Sequence, residues 1–313
     1  MSLRTIARAF ILLVLVLFAA VLLSNVRSLY EGIFFYLRDI ISPSPIRPID
    51  PTGRYASLYN LIQLRNGERR DYIQSHLESA GMTVTRILVP DSQLADLWVR
   101  FNSVGPYTVY SAHYDKLYDD VNYQGASDNT AAVSVLLAAA LELQRQGYRG
   151  PAAFLFTGEE EEGLRGAIAF MNHVHATRLA VRENVNFDNV GRGKLAIRPS
   201  VPIPGYSFML PFYGELTYDG RTLRSSPPYA PASPRLAHAL QNVQPDIVVY
   251  ERFTATSDSN IFQANGIDTV AISGDDMPYL EATWHTYADR VELVDEQNLD
   301  RAYELIMRYA PAN

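Results

Sequence analysis

The sequence predicts an α/β fold, a mixed and largely parallel central sheet with helices on both faces, preceded by one N-terminal transmembrane helix. Three observations lead there. Short apolar runs alternate with segments of helical length along most of the chain, the pattern of strands and crossover helices. Runs such as "YTVYSA" and "AAFLFT" are apolar throughout rather than at every second residue, as strands covered on both faces are. A long uncharged stretch near the N-terminus precedes all of them.

That stretch, Ala9 to Val26, holds 18 mostly apolar residues behind Arg4 and Arg8. As a helix it just spans a bilayer core. A secretory signal would have a shorter apolar core and small residues at its cleavage site. "AAVLLSN" lacks that pattern, although Ala19-Ala20 leaves cleavage as the alternative. Residues 1–28 therefore read as an uncleaved membrane anchor. Two arginines and the amino terminus precede the span and only Arg27 follows closely, so the expected orientation puts the bulk of the chain outside the cytoplasm. Residues 29–53, with four aromatics near the membrane side and four prolines beyond them, read as a linker. A folded domain over 54–313 is expected to follow.

Within it, "LRNGERRDYIQSHLESAGM" has the apolar spacing of an amphipathic helix ending at Gly81. "TVTRILV", "ADLWVRF" and "YTVYSA" follow as strands. A long apolar helix runs from about Thr130 to Gly147, then the strand "AAFLFT", the helix "GLRGAIAFMNHV" and the strand end "VNFD". "GKLAIRP", "DIVVY" and "DTVAIS" read as strands, "PRLAHALQNV", "SNIFQANG" and the closing "DEQNLDRAYELIMRYA" as helices. Residues 199–234, with eight prolines and four tyrosines, read as a long irregular insertion.

Composition narrows the chemistry. The 313 residues are 48% hydrophobic with a net charge of −7 and no long basic run, which argues against a nucleic-acid partner. No cysteine is present, so thiol nucleophiles, disulfide frameworks and cysteine-based zinc sites are excluded. Any metal must rest on histidine and carboxylates. No G-x-S-x-G elbow, H-E-x-x-H or P-loop occurs either.

In open α/β sheets, sites form beyond the carboxyl ends of the strands. There this sequence places unusual polar residues. His113-Tyr114-Asp115 follow "YTVYSA", Glu159 to Glu162 follow "AAFLFT", Asp188 follows "VNF", and Trp284-His285-Thr286 follow "DTVAIS" after a loop. Asp128, in "GASDN", stands where the long helix begins. Each has an ordinary explanation alone: an N-cap for Asp128, a hydrogen-bonded core or surface position for His113, a turn for Asp188, a solvated run for the glutamates. Together they set two histidines, two aspartates and a glutamate pair on one sheet edge. Such a cluster is costly unless cations offset its charge, and two divalent cations would do so.

The series "SAHYD", "GASDN", "FLFTGEEEEGLRG", "NFDNVG" and "WHTYAD" resembles, in order and approximate spacing, metallopeptidase family 28. This family of zinc peptidases includes bacterial leucyl aminopeptidase, aminopeptidase Y and glutamate carboxypeptidase II. The resemblance covers roughly residues 55–310. It implies the phosphorylase/hydrolase-like zinc exopeptidase fold, a co-catalytic pair of Zn2+ ions per chain and a peptide substrate, most simply one cleaved at its N-terminal residue. By motif it makes His113 and Asp188 ligands of one zinc, Glu160 and His285 ligands of the other, and Asp128 their bridge. It makes Glu159 the general base and Asp115 the carboxylate that orients His113. It also implies a cis bond between Asp128 and Asn129.

Two departures stand out. Glu161 and Glu162 both intervene before "GL", where the family usually has one residue. Counting from the strand gives Glu159/Glu160; counting back from "GLRG" gives Glu160/Glu161. The first is the expectation, since a turn can absorb an insertion. In "TSDSNIF", Ser259 stands where relatives commonly have histidine. Two rival readings share the fold: a glutaminyl cyclase with a single zinc, and a non-catalytic ectodomain of the transferrin-receptor kind. Oligomeric state is not legible.

Overall fold

The computed structural model describes residues 10–19, 37, 40–41, 45–102, 104–198, 214–218, 221–225, 232–250 and 256–312. Most of the expected anchor and linker, and residues 199–213, 219–220 and 226–231 of the insertion, lie outside the described residues. Ahead of the domain, α1 (Phe10–Ala19) is a short apolar helix. The chain is already packed before residue 54. Ile49 is buried in the core, and Arg47 donates its backbone N–H to the Asp295 carboxylate at 3.0 Å.

Helices α2 (Ala56–Leu61) and α3 (Asn66–Ser79) precede the strands β1 (Val84–Leu88), β2 (Ala95–Arg100) and β3 (Tyr107–His113). Then come α4 (Ala131–Arg145), β4 (Ala152–Thr157), α5 (Arg165–Thr177), β5 (Val181–Phe187) and β6 (Leu195–Arg198). Strands β7 (Gly214–Tyr218) and β8 (Arg221–Ser225) form a separate hairpin inside the insertion. The chain closes with α6 (Pro234–Val243), β9 (Val248–Val249), α7 (Ser259–Ala264), β10 (Asp268–Gly274), α8 (Met277–Thr283) and α9 (Glu296–Ala312).

One eight-stranded sheet runs in the order β1-β2-β4-β3-β5-β10-β6-β9. Its four central strands, β4, β3, β5 and β10, are parallel. β1 and β2 pair antiparallel on one side and β6 antiparallel to β10 on the other, with β9 parallel to β6. The mixed, largely parallel sheet is thus present, with its antiparallel pairs confined to the flanks.

Side-chain alternation splits the core into two layers, as strand geometry requires. Tyr110, Phe154, Phe156, Val185 and Ile272 face one side, packed with Leu58, Ile73, Leu136, Leu236 and Leu305 from α2, α3, α4, α6 and α9. Val109, Ala153 and Leu155 face the other, packed with Phe170 of α5 and Phe262 of α7. α4 explains its own composition. Helix Ala126–Arg145 is long and apolar enough to cross a membrane, yet 83% of its apolar window is buried inside the fold. It is a core helix whose alanines let it lie close to the sheet. Because β3 pairs with β4 on one side and β5 on the other, the sheet reverses its winding at β3. A crevice opens there, beyond the carboxyl ends of the central strands.

Candidate metal centre

Each central strand delivers a polar side chain to that crevice. β3 ends at His113, β5 is followed by Asp188, and β4 is followed by the glutamate turn. Asp128 comes from the tight turn Ala126–Thr130 that starts α4, where the Asp128–Asn129 peptide is cis. His285 lies on the loop after α8 with a left-handed φ of 57°.

The structure brings His113, Asp128, Asp188 and His285 together. His113 Nε2 lies 3.2 Å from Asp128 Oδ1 and 3.6 Å from Asp188 Oδ1. His285 Nε2 lies 3.5 Å from the other Asp128 oxygen and 3.2 Å from Glu161 Oε2. Asp128 therefore faces one histidine with each oxygen. His113–Asp128–Asp188 and Asp128–Glu161–His285 each gather three donor atoms within 4.8 Å of one another, as does His113–Glu160–Glu161. Tetrahedral zinc with bonds of about 2.0–2.1 Å holds neighbouring donors about 3.3 Å apart. The four distances above scatter around that value. Asp188 Oδ1 and Glu161 Oε1 are buried without hydrogen-bond partners, the condition of oxygens reserved for a cation. The donor set, all imidazole and carboxylate, suits zinc and fits two ions sharing Asp128.

His113 is set for ligation from behind. Its Nδ1 lies 3.1 Å from the Asp115 carbonyl and 3.5 Å from the Asp115 carboxylate. With Nδ1 donating there, Nε2 keeps its lone pair for the cluster. Asp115 also accepts the backbone N–H of Glu161 at 3.1 Å, tying the β3 end to the glutamate turn. Asn129 donates to the Phe187 carbonyl at 2.9 Å, which fastens the start of α4 to the β5 end that carries Asp188.

The glutamates fall differently from the count along the strand. Gly158 N–H is held by buried Asp96 at 3.0 Å, and Glu159 takes a left-handed φ of 59°. That reversal turns Glu159 away from the cluster. Its carboxylate accepts from Ser92 Oγ and lies 3.7 Å from Arg165. The turn then closes by Gly163 N–H to Glu160 O at 3.0 Å and Arg165 N–H to Glu159 O at 2.9 Å, so Glu160 and Glu161 point inward while Glu162 is exposed. The pair that faces the cluster is thus Glu160/Glu161, where the count from the strand expects Glu159/Glu160. Gly166 completes the turn: a Cβ there would lie 2.2 Å from the Gly158 carbonyl, so the close return of the chain needs glycine.

Charge in this pocket is badly unbalanced without metal. Burial pushes the Glu160 carboxyl well above the usual carboxylate range, with the charge of Asp188 adding to it against the pull of His113. Burial also raises Glu161 and Asp188. Asp128 is the exception: burial acts upward on it, but hydrogen bonding from His113 and the charges of both histidines hold it below its ordinary value. For His113, burial acts downward and is outweighed by the charge of Glu160 and contacts with Asp115, Asp128 and Asp188, leaving it well above the ordinary histidine value.

Further carboxylates form a layer that the sequence reading missed. Asp289 accepts the backbone N–H groups of Ser127 at 2.8 Å and Asp128 at 3.0 Å, holding the bridge-forming turn. Burial lifts it to about 6. Asp258 accepts from Thr157 Oγ1, and burial lifts it to about 7. Both stood in conspicuous stretches, the last residue of "WHTYAD" and the middle of "TSDSNIF", but their partners are backbone groups or distant strand residues. Ser259, at the departure from the family pattern, is buried with its hydroxyl 2.8 Å from Ser257 Oγ.

Paired histidine–carboxylate sets at the switch point of an α/β sheet define a candidate metal-dependent hydrolase. Residues 100–310 match Peptidase family M28, and the chain belongs to that family. No curated protein sequence matches significantly. Among solved structures, the chain is similar to the LapA aminopeptidase of Legionella pneumophila, with a TM-score of 0.64 and 16% identity over 84% of this chain and 71% of that one. It is comparably similar to a leucine aminopeptidase precursor from Bacteroides thetaiotaomicron, with a TM-score of 0.62 and 16% identity over 86% of this chain and 99% of that one. A glutaminyl cyclase from an Acidobacteriales bacterium also aligns, with a TM-score of 0.62 and 14% identity over 87% and 97%. At these identities the likeness shows the fold.

Proposed function

We propose that this member of the family is a zinc-dependent aminopeptidase with two metals, held to a membrane by its N-terminal helix, its catalytic domain outside the cytoplasm. The observation that carries the two-metal reading is Asp128, with one oxygen toward His113 and the other toward His285. His113, Asp128 and Asp188 would hold one zinc, and Asp128, Glu161 and His285 the other. Bound there, the metals supply Lewis acidity to the peptide carbonyl and to a water. Glu160 accepts a proton from the attacking water and returns it to the leaving amine. Its place in the crevice, within reach of His113 and beside Glu161, supports that role. Asp115 keeps Nε2 of His113 directed at the cluster, and Asp289 holds the backbone of Asp128.

The anchor rests on the length of Ala9–Val26 and on the arginines ahead of it. The peptidase reading is favoured over glutaminyl cyclase by donor sets that are complete at both metal positions. A panel of aminoacyl-p-nitroanilides, assayed with metal-stripped and zinc-restored protein, tests the activity. Zinc-dependent release of nitroaniline is expected. Conversion of glutaminyl peptides to pyroglutamyl peptides, with no nitroaniline released, would overturn it.

A further inference from the structure

Beside the second donor set lies a group of tyrosines for which neither the metal chemistry nor the core gives a use. Tyr287, two residues after His285, is 52% exposed, and Tyr118, on the loop after β3, is 43% exposed. Their rings stack in parallel, 5.8 Å between centroids and 5° between planes. Tyr123 sits beneath both, fully buried and nearly perpendicular, at 5.0 Å from Tyr118 and 5.5 Å from Tyr287.

The group is rigid. Tyr287 donates its hydroxyl to the Asp120 carboxylate at 3.0 Å. Lys116 Nζ donates to the carbonyls of Asp120 and Tyr123, both at 2.8 Å, drawing the loop closed beneath the rings. The shelf also adjoins the metal centre. The Tyr123 hydroxyl is buried without a hydrogen-bond partner, within the field of Asp128, Asp289 and Glu161. Two large aromatic rings held half exposed beside His285 keep apolar area in water that a ligand could cover. Rings so fixed lose little freedom when a ligand packs on them.

We propose that Tyr118 and Tyr287 form a binding shelf for an aromatic side chain of the peptide substrate, so that the enzyme selects peptides carrying an aromatic residue near the cleaved bond. This rests on the peptidase reading for the nature of the ligand. Tyr123 is a positioning residue that sets the height of the shelf. An aromatic side chain set across the exposed edges of the stacked pair, as Tyr123 is from below, gains edge-to-face contact and buries apolar area, and roughly tenfold tighter binding than alanine is expected.

The test uses full-length, zinc-loaded protein carrying Glu160→Gln, which binds without turning over. Four alanine tetrapeptides, each with one phenylalanine at a different position, and the all-alanine peptide are titrated calorimetrically. One phenylalanine position should bind roughly tenfold tighter than the all-alanine peptide. That gain should vanish in Tyr118→Ala and Tyr287→Ala and survive in Tyr287→Phe, which keeps the ring and loses only the bond to Asp120. Both truncated side chains are exposed, so folding is expected to tolerate them. Equal affinity for all five peptides, or a gain that persists when both rings are removed, overturns the shelf. Binding is read without turnover, so an inactive wild-type enzyme would defeat the peptidase reading while leaving the shelf to be judged on affinities alone.

Discussion

Replacing Glu159, Glu160 and Glu161 one at a time by glutamine separates one residue that the turn directs toward Ser92 and Arg165 from two that it directs into the cluster. Glutamine keeps the size of the side chain and removes its charge. At Glu159 the losses are an ion pair with Arg165, 3.7 Å long and partly exposed, and part of a hydrogen bond from Ser92 that an amide oxygen still accepts. Such a pair contributes about 0.2–1 kcal/mol. For a domain of this size that lowers Tm by about 2–4 °C at most and leaves turnover near wild type. At Glu160 the loss is the proposed proton acceptor, worth about 10²–10⁴ in kcat, with KM little changed because the deficit falls on the transition state. Its metal content should stay near wild type. At Glu161 the loss is the charged oxygen 3.2 Å from His285, and a neutral amide is a poor zinc ligand, so one zinc per chain should be lost. Steady-state kinetics on an aminoacyl-p-nitroanilide, elemental zinc analysis and thermal melts are run on all three. A drop of a hundredfold or more in Glu159→Gln at full zinc content would refute the assignment and restore the count from the strand.

Three further outcomes follow from the layers around the centre. Asp289→Asn keeps one acceptor oxygen for two backbone N–H groups and loses its charge; about 1–3 kcal/mol of stability and a weakened hold on zinc are expected, read by melts and competition with a chelator. Metal-free protein should lose stability as pH rises from about 4 to about 7. Burial lifts Asp258 from 3.8 to about 7, so its contribution is full below the unfolded value and disappears as the pH passes the folded one. Three pH units correspond to a few kcal/mol, and Asp258→Asn should make the Tm profile less steep in that window, where Glu160, Glu161, Asp188 and Asp289 are raised in the same direction; an unchanged slope would show that Asp258 does not contribute. At the opposite end of the sheet, buried Glu183 accepts from Thr108 at 2.8 Å, Arg235 at 2.7 Å and Tyr309 at 3.0 Å. Glu183→Gln leaves the half-exposed Arg235 paired with Asp268 and keeps an acceptor oxygen, so about 1–2 kcal/mol should be lost in denaturant unfolding without altering zinc content.

Much of this was legible in the sequence, for identifiable reasons. β3 and β4 are apolar runs because both faces are covered, while β5, with Arg182, Glu183, Asn184 and Asn186 inside it, was legible only at its end; the carboxyl ends of all three are marked by His113, Glu159 and Asp188, so the crevice could be read although the strand order could not. The glutamate register was legible only as two alternatives, and the count back from "GLRG", which was set aside, matches the pair at the cluster. It depends on Glu159 adopting a left-handed backbone and on Asp115 capturing the Glu161 amide, and neither leaves a trace in composition. Asp289 and Asp258 were passed over for a related reason. They act on backbone amides and on Thr157, residues far away in sequence, so only the folded chain shows what they hold. A mixed sheet was expected, but which strands run antiparallel escaped because strand direction at a sheet edge follows from connection geometry rather than from side chains. The start of packing before residue 54 escaped because prolines near Arg47 and Ile49 suggest a linker, whereas the contact with Asp295 is made by the C-terminal part of the chain.

The central claim is that Asp128 joins two metal positions into one catalytic centre. Elemental analysis of extensively dialysed protein tests it most directly, by counting zinc per chain in the wild type and in Asp128→Ala. Two zincs per chain in the wild type, with both lost in Asp128→Ala, is the expected result, because each position would give up a ligand at once. One zinc per chain in the wild type, or two retained tightly by Asp128→Ala, would contradict the account.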